Sequence, residues 1–206
     1  MQNECSPRLL VSSIELDPSV TPYLQKLLAK RPEVYRHSVN VAYLAAEICC
    51  TTLRNDLKQY LSFDITDKDT VEIVKGALLH DIGKLVIPNK ILNKSETLTP
   101  EEVSIIMTHS QKGYEMLSND KDNKYSKTVL DIVKHHHEKL DGKGYPDHIK
   151  KIRASTQLVA FCDMYDALTE TRAYRAKKSI FSAYKIINEE QLDNDLFLLL
   201  ASCFDR

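Results

Sequence analysis

Apolar residues recur at helical spacing along most of this chain, and this spacing constrains its fold more than any other feature. Val41, Leu44, Ala45 and Ile48 fall on one face of a helix, and residues 69–81 repeat the pattern. Glycine is scarce, with five residues, and no segment shows the alternation of a strand. The sequence therefore predicts an all-α fold, a single-domain helical bundle.

The length of 206 residues fits one domain with a short appendage. We expect residues 1–20 to be an irregular N-terminal segment and residues 21–206 to form the helical domain. Thr99, Pro100 and Glu102 form a helix start, with a hydroxyl cap, a proline in the first turn and an acid three positions on. Further helices are predicted at residues 21–29, 126–137 and 153–171, followed by two shorter ones.

Charge and composition exclude some classes of function. The formal net charge is -1, whereas a general nucleic-acid binder carries a clear basic excess. No apolar run is long enough to span a membrane, and the N-terminus does not read as a signal peptide. The five cysteines match neither a zinc knuckle nor a disulfide framework, which favours a reducing compartment. We predict a cytoplasmic protein that binds neither polymeric nucleic acid nor membranes.

Charged and polar residues interrupt the apolar segments in two places. His80 and Asp81 end an apolar helix, and Asp163 lies beside Phe161 and Cys162. Burying such groups without a partner costs several kcal/mol. Imidazole and carboxylate are both ligands for the same divalent cations, so a metal site explains the placement. For His80 and Asp81 taken alone, a water-exposed pair at a helix end is the alternative.

The stretch HHHEKLDGKGYP at residues 135–146 places three histidines before a turn. His136 continues the buried face of the preceding helix, and His137 lies next to it, so two imidazoles can serve one metal. His135 points another way and is expected to be solvated. Glu138 is expected to cap the helix or to orient a ligand.

His109 follows an apolar run. Ile105, Ile106 and Val103 predict that it faces the interior. A single histidine on an apolar face is more often a satisfied core residue than a ligand, and that alternative stays open at this point.

Two further pairs are compatible with the same chemistry. Glu33 and His37 are four residues apart on one predicted helix and share a face. They can add two ligands, although a surface pair at this spacing is an equal alternative. Asp166, three residues after Asp163, either orients a ligand or caps a neighbouring helix.

Taken together, these motifs resemble the HD-GYP group within the HD superfamily of metal-dependent phosphohydrolases. The likeness covers about residues 30–190, and its second motif, HHExxDGxGYP, is specific. The matching stretches are HDIGK at residues 80–84, His109 with Gly113, HHEKLDGKGYP at residues 136–146, and DMYDAL at residues 163–168 followed by Arg172, Tyr174 and Arg175.

The resemblance implies a central site with two or three divalent metal ions, iron or manganese being favoured. Asp81 would bridge two metals, and Glu33 matches the acid of members that hold a third. The implied ligands are Glu33, His37, His80, Asp81, His109, His136, His137 and Asp163.

The resemblance also implies an activity. Family members hydrolyse a cyclic dinucleotide, most often cyclic di-GMP, to the linear dinucleotide and in some cases to GMP, by attack of a hydroxide that bridges the metals. Asp81 and Lys84 are the expected catalytic residues, Lys84 lying beside the scissile phosphate. Arg172 and Arg175 match a basic pair that contacts substrate phosphates.

Tyr145 and Pro146 match the loop that borders the family's substrate pocket. A diguanylate cyclase or another signalling protein is a candidate partner. The sequence departs from the pattern at Ala173, where family members commonly have proline, and this loosens the loop that carries the basic pair. Two alternatives remain: a module that binds a cyclic dinucleotide or a partner without hydrolysis, and an HD-type nucleotide phosphohydrolase.

Overall fold

The computed structural model describes residues 6–54, residues 65–169 and Ser182, and within these residues every regular element is helical. The all-α prediction is confirmed. The two helices expected at the end of the chain, and Arg172, Tyr174 and Arg175 with them, lie outside the described residues. The elements are α1 (Pro7–Glu15), α2 (Thr21–Lys30), α3 (Pro32–Arg54), α4 (Asp67–Leu79), a 3-10 helix (Ile82–Val86), α5 (Asn89–Leu92), α6 (Pro100–Met107), α7 (His109–Ser118), α8 (Lys127–His135) and α9 (Ala154–Thr169).

The core lies between the long helices. α3 packs against α4 and α9, and α4 also packs against α8. Ile48, Leu78, Ile132 and Phe161, from four different helices, are fully buried in one cluster. The apolar stripes of α3 and α8 therefore face this core, as the spacing of their apolar residues predicts, whereas residues 156–162 of α9 are buried without a break.

Capping residues fix where the helices begin. The Thr99 hydroxyl accepts a hydrogen bond from the backbone N–H of Glu102, whose carboxylate in turn accepts one from the Thr99 backbone N–H. Thr66 and Asp69 form the same capping box on α4. These boxes satisfy backbone donors that a helix start leaves open, and the predicted start at Thr99 is confirmed.

The N-terminal segment corrects one expectation. Residues 1–20 were expected to be irregular, but Pro7–Glu15 form α1, and Val11 and Ile14 are buried in the common core. Pro7 stands in the first turn, where a helix tolerates it. The helix carries only two core residues, so its apolar pattern is too short to recognise by spacing.

Two observations concern the setting of the chain. No helix among the described residues is both long and apolar enough to cross a membrane. Cys50, buried on α3, is disulfide-bonded, which the cysteine pattern did not predict. This disulfide does not support the reducing compartment that the cysteine pattern favours. The cytoplasmic location stays a prediction.

Candidate metal centre

Histidine and aspartate side chains from five parts of the chain meet in the middle of the bundle. They come from α3, from the end of α4, from the start of α7, from the end of α8 and from α9. Three overlapping groups have ligand atoms within 4.8 Å of one another: His37 with His80 and Asp163; His80 with Asp81 and His136; and His109 with His136 and His137.

Backbone carbonyl groups set the direction of three of the imidazoles. In His80, His109 and His136, the ring Nδ1 lies 2.7, 2.8 and 3.1 Å from the carbonyl oxygen of the residue three positions earlier. A carbonyl only accepts, so each Nδ1 carries a proton and each Nε2 is left to face the cluster. The Nε2 atoms of His109 and His136 lie 3.3 Å apart, and that of His80 is buried with no hydrogen-bond partner among the described residues.

Asp81 occupies the centre of the cluster and is buried. Its Oδ1 lies 3.3 Å from His109 Nε2 and has no hydrogen-bond partner within the part of the chain that the structure describes. Its Oδ2 lies 2.6 Å from Lys84 Nζ, 3.4 Å from His80 Nε2 and 3.8 Å from His37 Nε2. The two oxygens of one carboxylate thus face opposite halves of the cluster, which is the placement that a bridging ligand needs.

His37 lies between two carboxylates on α9. Its Nε2 is 2.9 Å from Asp163 Oδ1, and its Nδ1 is 2.5 Å from Asp166 Oδ2. Burial alone would lower the pKa of His37, but the hydrogen bonds to the two carboxylates outweigh it and raise the pKa to about 9. Of the two roles considered for Asp166, the structure shows the orienting one, since it fixes the ring of His37.

The imidazoles of His109, His136 and His137 are held neutral. Burial lowers the pKa of His109 to about 4 and the pKa of His137 to about 3. Burial, together with the neighbouring His137, keeps the pKa of His136 well below its ordinary value. Neutral imidazole is the form that binds a metal, so these side chains are in the correct state before any cation arrives.

The two central carboxylates are held ionised. Burial favours the protonated form of Asp81, but the Lys84 ammonium and His80 hold its pKa well below the usual range. Burial acts in the same way on Asp163, and its hydrogen bond with His37 lowers the pKa of that carboxyl well below the usual value. Anionic oxygens and neutral imidazoles therefore lie together in one cluster.

This donor set fits divalent cations. The lone pairs of His109 and His136 face each other at 3.3 Å, and buried atoms of His80 and Asp81 have no hydrogen-bond partner in residues 6–54 or 65–169. Such groups are costly to bury unless something positive lies between them. Histidine and carboxylate without cysteine suit iron, manganese, nickel or zinc.

Two glycines allow the 3-10 helix and α7 to approach closely. A Cβ atom on Gly83 would lie 1.9 Å from the carbonyl oxygen of His109, and one on Gly113 would lie 3.2 Å from the Gly83 nitrogen. Only glycine at residue 83 permits this distance. The glycines of HDIGK and of the His109–Gly113 motif therefore bring Asp81 and His109 together.

The GYP loop, which we define as residues 141–147, lies against the end of α8. The Tyr145 ring stacks on the His137 ring with centroids 4.7 Å apart, and its backbone N–H donates to the His137 carbonyl oxygen. Glu138 is buried and its Oε1 accepts a hydrogen bond from the Asp147 backbone N–H at 2.6 Å. Glu138 thus anchors the loop.

His135, the first of the three consecutive histidines, also holds this loop. His135 was expected to be solvated, but its Nε2 lies 3.0 Å from Asp147 Oδ2, and Lys134 Nζ lies 2.6 Å from the same oxygen. The expectation is wrong because Asp147, which follows the half-buried Pro146, folds back onto the end of α8. The role of Asp147 was missed, although an acid directly after the Gly-Tyr-Pro motif was visible in the sequence.

Two further predictions meet different outcomes. His109 is buried as expected, but Val103 and Ile105 are about two-fifths exposed. The prediction that Val103 and Ile105 share the buried face of His109 was wrong, because α6 ends at Met107 and a new helix begins at His109.

Glu33, in the first turn of α3, is exposed and lies outside the three ligand groups, so its role as a ligand stays a prediction.

A sequence profile of the HD domain family matches residues 22–196 of the chain. Curated relatives include the cyclic di-GMP phosphodiesterase PA4108 of Pseudomonas aeruginosa, which is 32% identical over 166 residues, or 80% of this chain and 37% of that protein. A cyclic di-GMP phosphodiesterase of Thermotoga maritima is 33% identical over 80% of this chain and 42% of its own length. The 3'3'-cGAMP-specific phosphodiesterase 3 of Vibrio cholerae is 33% identical over 84% and 35%.

The chain thus spans about two-fifths of the length of these curated relatives. Among solved structures, an HD-GYP protein of Bdellovibrio bacteriovorus superposes with a TM-score of 0.64 at 19% identity, over 97% of this chain and 62% of that one. A cyclic GMP-AMP specific phosphodiesterase of V. cholerae superposes with a TM-score of 0.51 at 26% identity, over 90% and 40%. The chain therefore belongs to the HD domain family, and its resemblance to the HD-GYP group is confirmed.

Proposed function

We propose that this chain is a metal-dependent phosphodiesterase that hydrolyses a cyclic dinucleotide, cyclic di-GMP above all, to the linear dinucleotide and onward to GMP. The observation that carries the proposal is the convergence of buried, neutral imidazoles and ionised carboxylates around one cavity. The names of the curated relatives, which are cyclic di-GMP and cGAMP phosphodiesterases, support this substrate class.

Two or three divalent ions are the cofactors of this proposal, with iron or manganese favoured. When bound, such ions activate water as a nucleophile and offset the charge of the phosphodiester. Asp81, whose oxygens face both halves of the cluster, would serve both metals, and Glu33 is proposed for a third. The proposed ligands are Glu33, His37, His80, Asp81, His109, His136, His137 and Asp163.

Lys84 is proposed to stabilise the charge that develops during the reaction. Its side chain is about one-fifth exposed and its ammonium lies 2.6 Å from Asp81 Oδ2, so it stands at the edge of the cluster. From there it can pair with a phosphoryl oxygen of a bound substrate. A fixed donor of this kind lowers the activation barrier by about 2–4 kcal/mol.

Other residues are proposed to bind the substrate. The ring of Tyr145 stacks on His137, which supports the proposal that Tyr145 and the adjacent Pro146 border the substrate pocket. Arg172 and Arg175 are proposed, through the family resemblance, to contact the substrate phosphates. A diguanylate cyclase or another signalling protein is proposed as a partner that supplies or senses the same dinucleotide, in the cytoplasm.

A comparison of substrates tests the proposal. Purified protein loaded with manganese or iron is incubated with cyclic di-GMP, with 3'3'-cGAMP and with mononucleotides, and the products are separated by chromatography. We expect linear dinucleotide from at least one of the cyclic substrates. Turnover of mononucleotides alone would show instead that the chain is a nucleotide phosphohydrolase. Tight binding of a cyclic dinucleotide without product would show that it is a binding module.

A further inference from the structure

Arg31 is a buried cation that the metal centre described above does not use. Only 4% of the residue is exposed. It stands between the end of α2 and the start of α3, where its backbone carbonyl accepts the first hydrogen bond of α3 from Tyr35. A buried charge is costly, so its retention calls for specific partners.

Those partners are two backbone carbonyl groups that are distant from Arg31 in the sequence but close to it in the fold. Arg31 Nη2 donates to the carbonyl oxygen of Ile87 at 2.7 Å, and Nε donates to that of Lys84 at 3.5 Å. No carboxylate among the described residues forms an ion pair with it. The planar guanidinium presents several donors in fixed directions, so one side chain can hold two carbonyls at once.

The two carbonyls define the last turn of the 3-10 helix that carries Lys84. The Ile87 backbone N–H also donates to the Lys84 carbonyl, and the backbone becomes extended at Ile87. Arg31 therefore joins both ends of the turn where this helix stops. Gly83 brings the same helix into close contact with α7.

We propose that Arg31 is a positioning residue for Lys84. By holding the last turn of the 3-10 helix, it sets where the Lys84 side chain leaves the backbone and keeps its ammonium 2.6 Å from Asp81. It also ties this turn to the start of α3, six residues before His37. The catalytic part of this inference rests on the proposed phosphodiesterase function, whereas the placement of Lys84 does not.

The test compares Arg31→Met and Arg31→Lys with a control, Tyr125→Phe. The Tyr125 hydroxyl also donates to a distant backbone carbonyl, that of Ser19 at 2.6 Å, but away from the metal centre. The first readout is the rate at which acetic anhydride labels the Lys84 amine, measured by peptide mass spectrometry on the full chain with and without manganese. We expect faster labelling of Lys84 in Arg31→Met, a smaller increase in Arg31→Lys and none in Tyr125→Phe.

The second readout is turnover of cyclic di-GMP. Arg31→Met is expected to lower kcat by about tenfold to a hundredfold with metal content unchanged, since a small misplacement of a catalytic group has an effect of this size. In a Lys84→Met background the same substitution should have little additional effect, because the two residues act through one group.

The two readouts separate the possible failures. If the wild-type protein does not hydrolyse any cyclic dinucleotide, the proposed function is wrong, and the labelling rates still decide whether Arg31 places Lys84. If acetic anhydride labels Lys84 at the same rate in Arg31→Met as in the wild type, the positioning role is overturned. It is also overturned if Arg31→Met lowers kcat by the same factor with and without Lys84. Arg31→Lys keeps the charge and so provides the same comparison where Arg31→Met does not fold.

Discussion

The carboxylate of Asp81 is the residue on which the charge balance of the metal centre depends. Its two oxygens face His109 on one side and His80 and His37 on the other, with Lys84 in direct contact. Asp163 also reaches both halves, but its distance to His137 is 4.0 Å, longer than any of the contacts that Asp81 makes. A change at Asp81 therefore affects every metal that the cluster holds.

Asp81→Asn is expected to abolish metal loading and to lower the hydrolysis of cyclic di-GMP by at least about a hundredfold. The amide keeps the volume but removes the negative charge and one acceptor. Elemental analysis gives the metal content, and product chromatography gives the rate. Asp17→Asn, which removes an ion pair with Lys75 outside the ligand groups, is the control and should keep both values. A fully active Asp81→Asn protein would contradict the bridging role.

His37 predicts a pH dependence for the metal-free protein. Asp163 and Asp166 raise its pKa from 6.5 to about 9 despite the opposing effect of burial. Because the folded pKa is the higher one, the stabilisation is fully present below about pH 6.5 and is lost as the pH rises through about 9.

The measurement is thermal unfolding of chelator-treated protein across this range, for wild type and His37→Gln. The unfolding temperature of the wild type should fall with rising pH by more than that of the variant, and the gap between them should narrow. Parallel curves for the two proteins would show that this histidine does not take up a proton on folding.

At the level of helices, the spacing of motifs predicts well which of the proposed ligands face the interior, because helix geometry fixes which residues share a face. His136 was placed by its distance from Ile132 and Val133, and all three are buried. The short α1 was missed because two core residues do not make a readable period. The break between Met107 and His109 was also missed, since no proline or glycine marks it.

The contacts of Arg31 could not be predicted from the sequence pattern. Its acceptors are backbone carbonyls 53 and 56 residues away, and every residue type carries the same backbone carbonyl. Asp147 was missed for a related reason, since its contacts to Lys134 and His135 depend on how the GYP loop turns back.

Gly83→Ala is predicted to separate the 3-10 helix from α7. The added methyl group would lie 1.9 Å from the His109 carbonyl oxygen and 2.6 Å from the Gly113 nitrogen, and both are backbone atoms that cannot rotate away. We expect a loss of about 3 kcal/mol or more in the free energy of unfolding, at the upper end of overpacking effects. Metal content should fall with it, because His109 moves.

Gly76→Ala on α4 is the matched control. Its methyl group would meet three side-chain atoms of Ile132, Cδ1 at 2.7 Å and Cβ and Cγ2 at 3.1 Å, and none of these nearest atoms belongs to the backbone. Alanine also gains about 1 kcal/mol of helix propensity over glycine. Urea unfolding of the two variants should show a clearly larger loss for Gly83→Ala, and equal losses would argue against the close approach.

For the whole molecule, the ligands come from five separate parts of the chain, so a bound metal links most of the bundle. A ligand that binds only the folded state at a concentration of 100 times its Kd stabilises that state by about 2.7 kcal/mol. For a chain of this size, this corresponds to a rise in Tm of about 5–10 °C.

Manganese added to chelator-treated protein is expected to produce this rise, measured by differential scanning fluorimetry. Asp17→Asn should show the same shift from its own baseline, whereas Asp81→Asn should show almost none. An equal shift in the Asp81 variant would mean that the ion binds elsewhere.

The contact between Lys84 and Asp81 bears on how the protein matures. The ammonium is a counter-ion supplied by the chain itself, so the central carboxylate is buried with compensation before any cation is taken up from solution. Small zinc modules stay unfolded without their ion, whereas here part of the compensating charge belongs to the chain. We therefore expect folding of this bundle to depend less steeply on the supply of metal than folding of such modules.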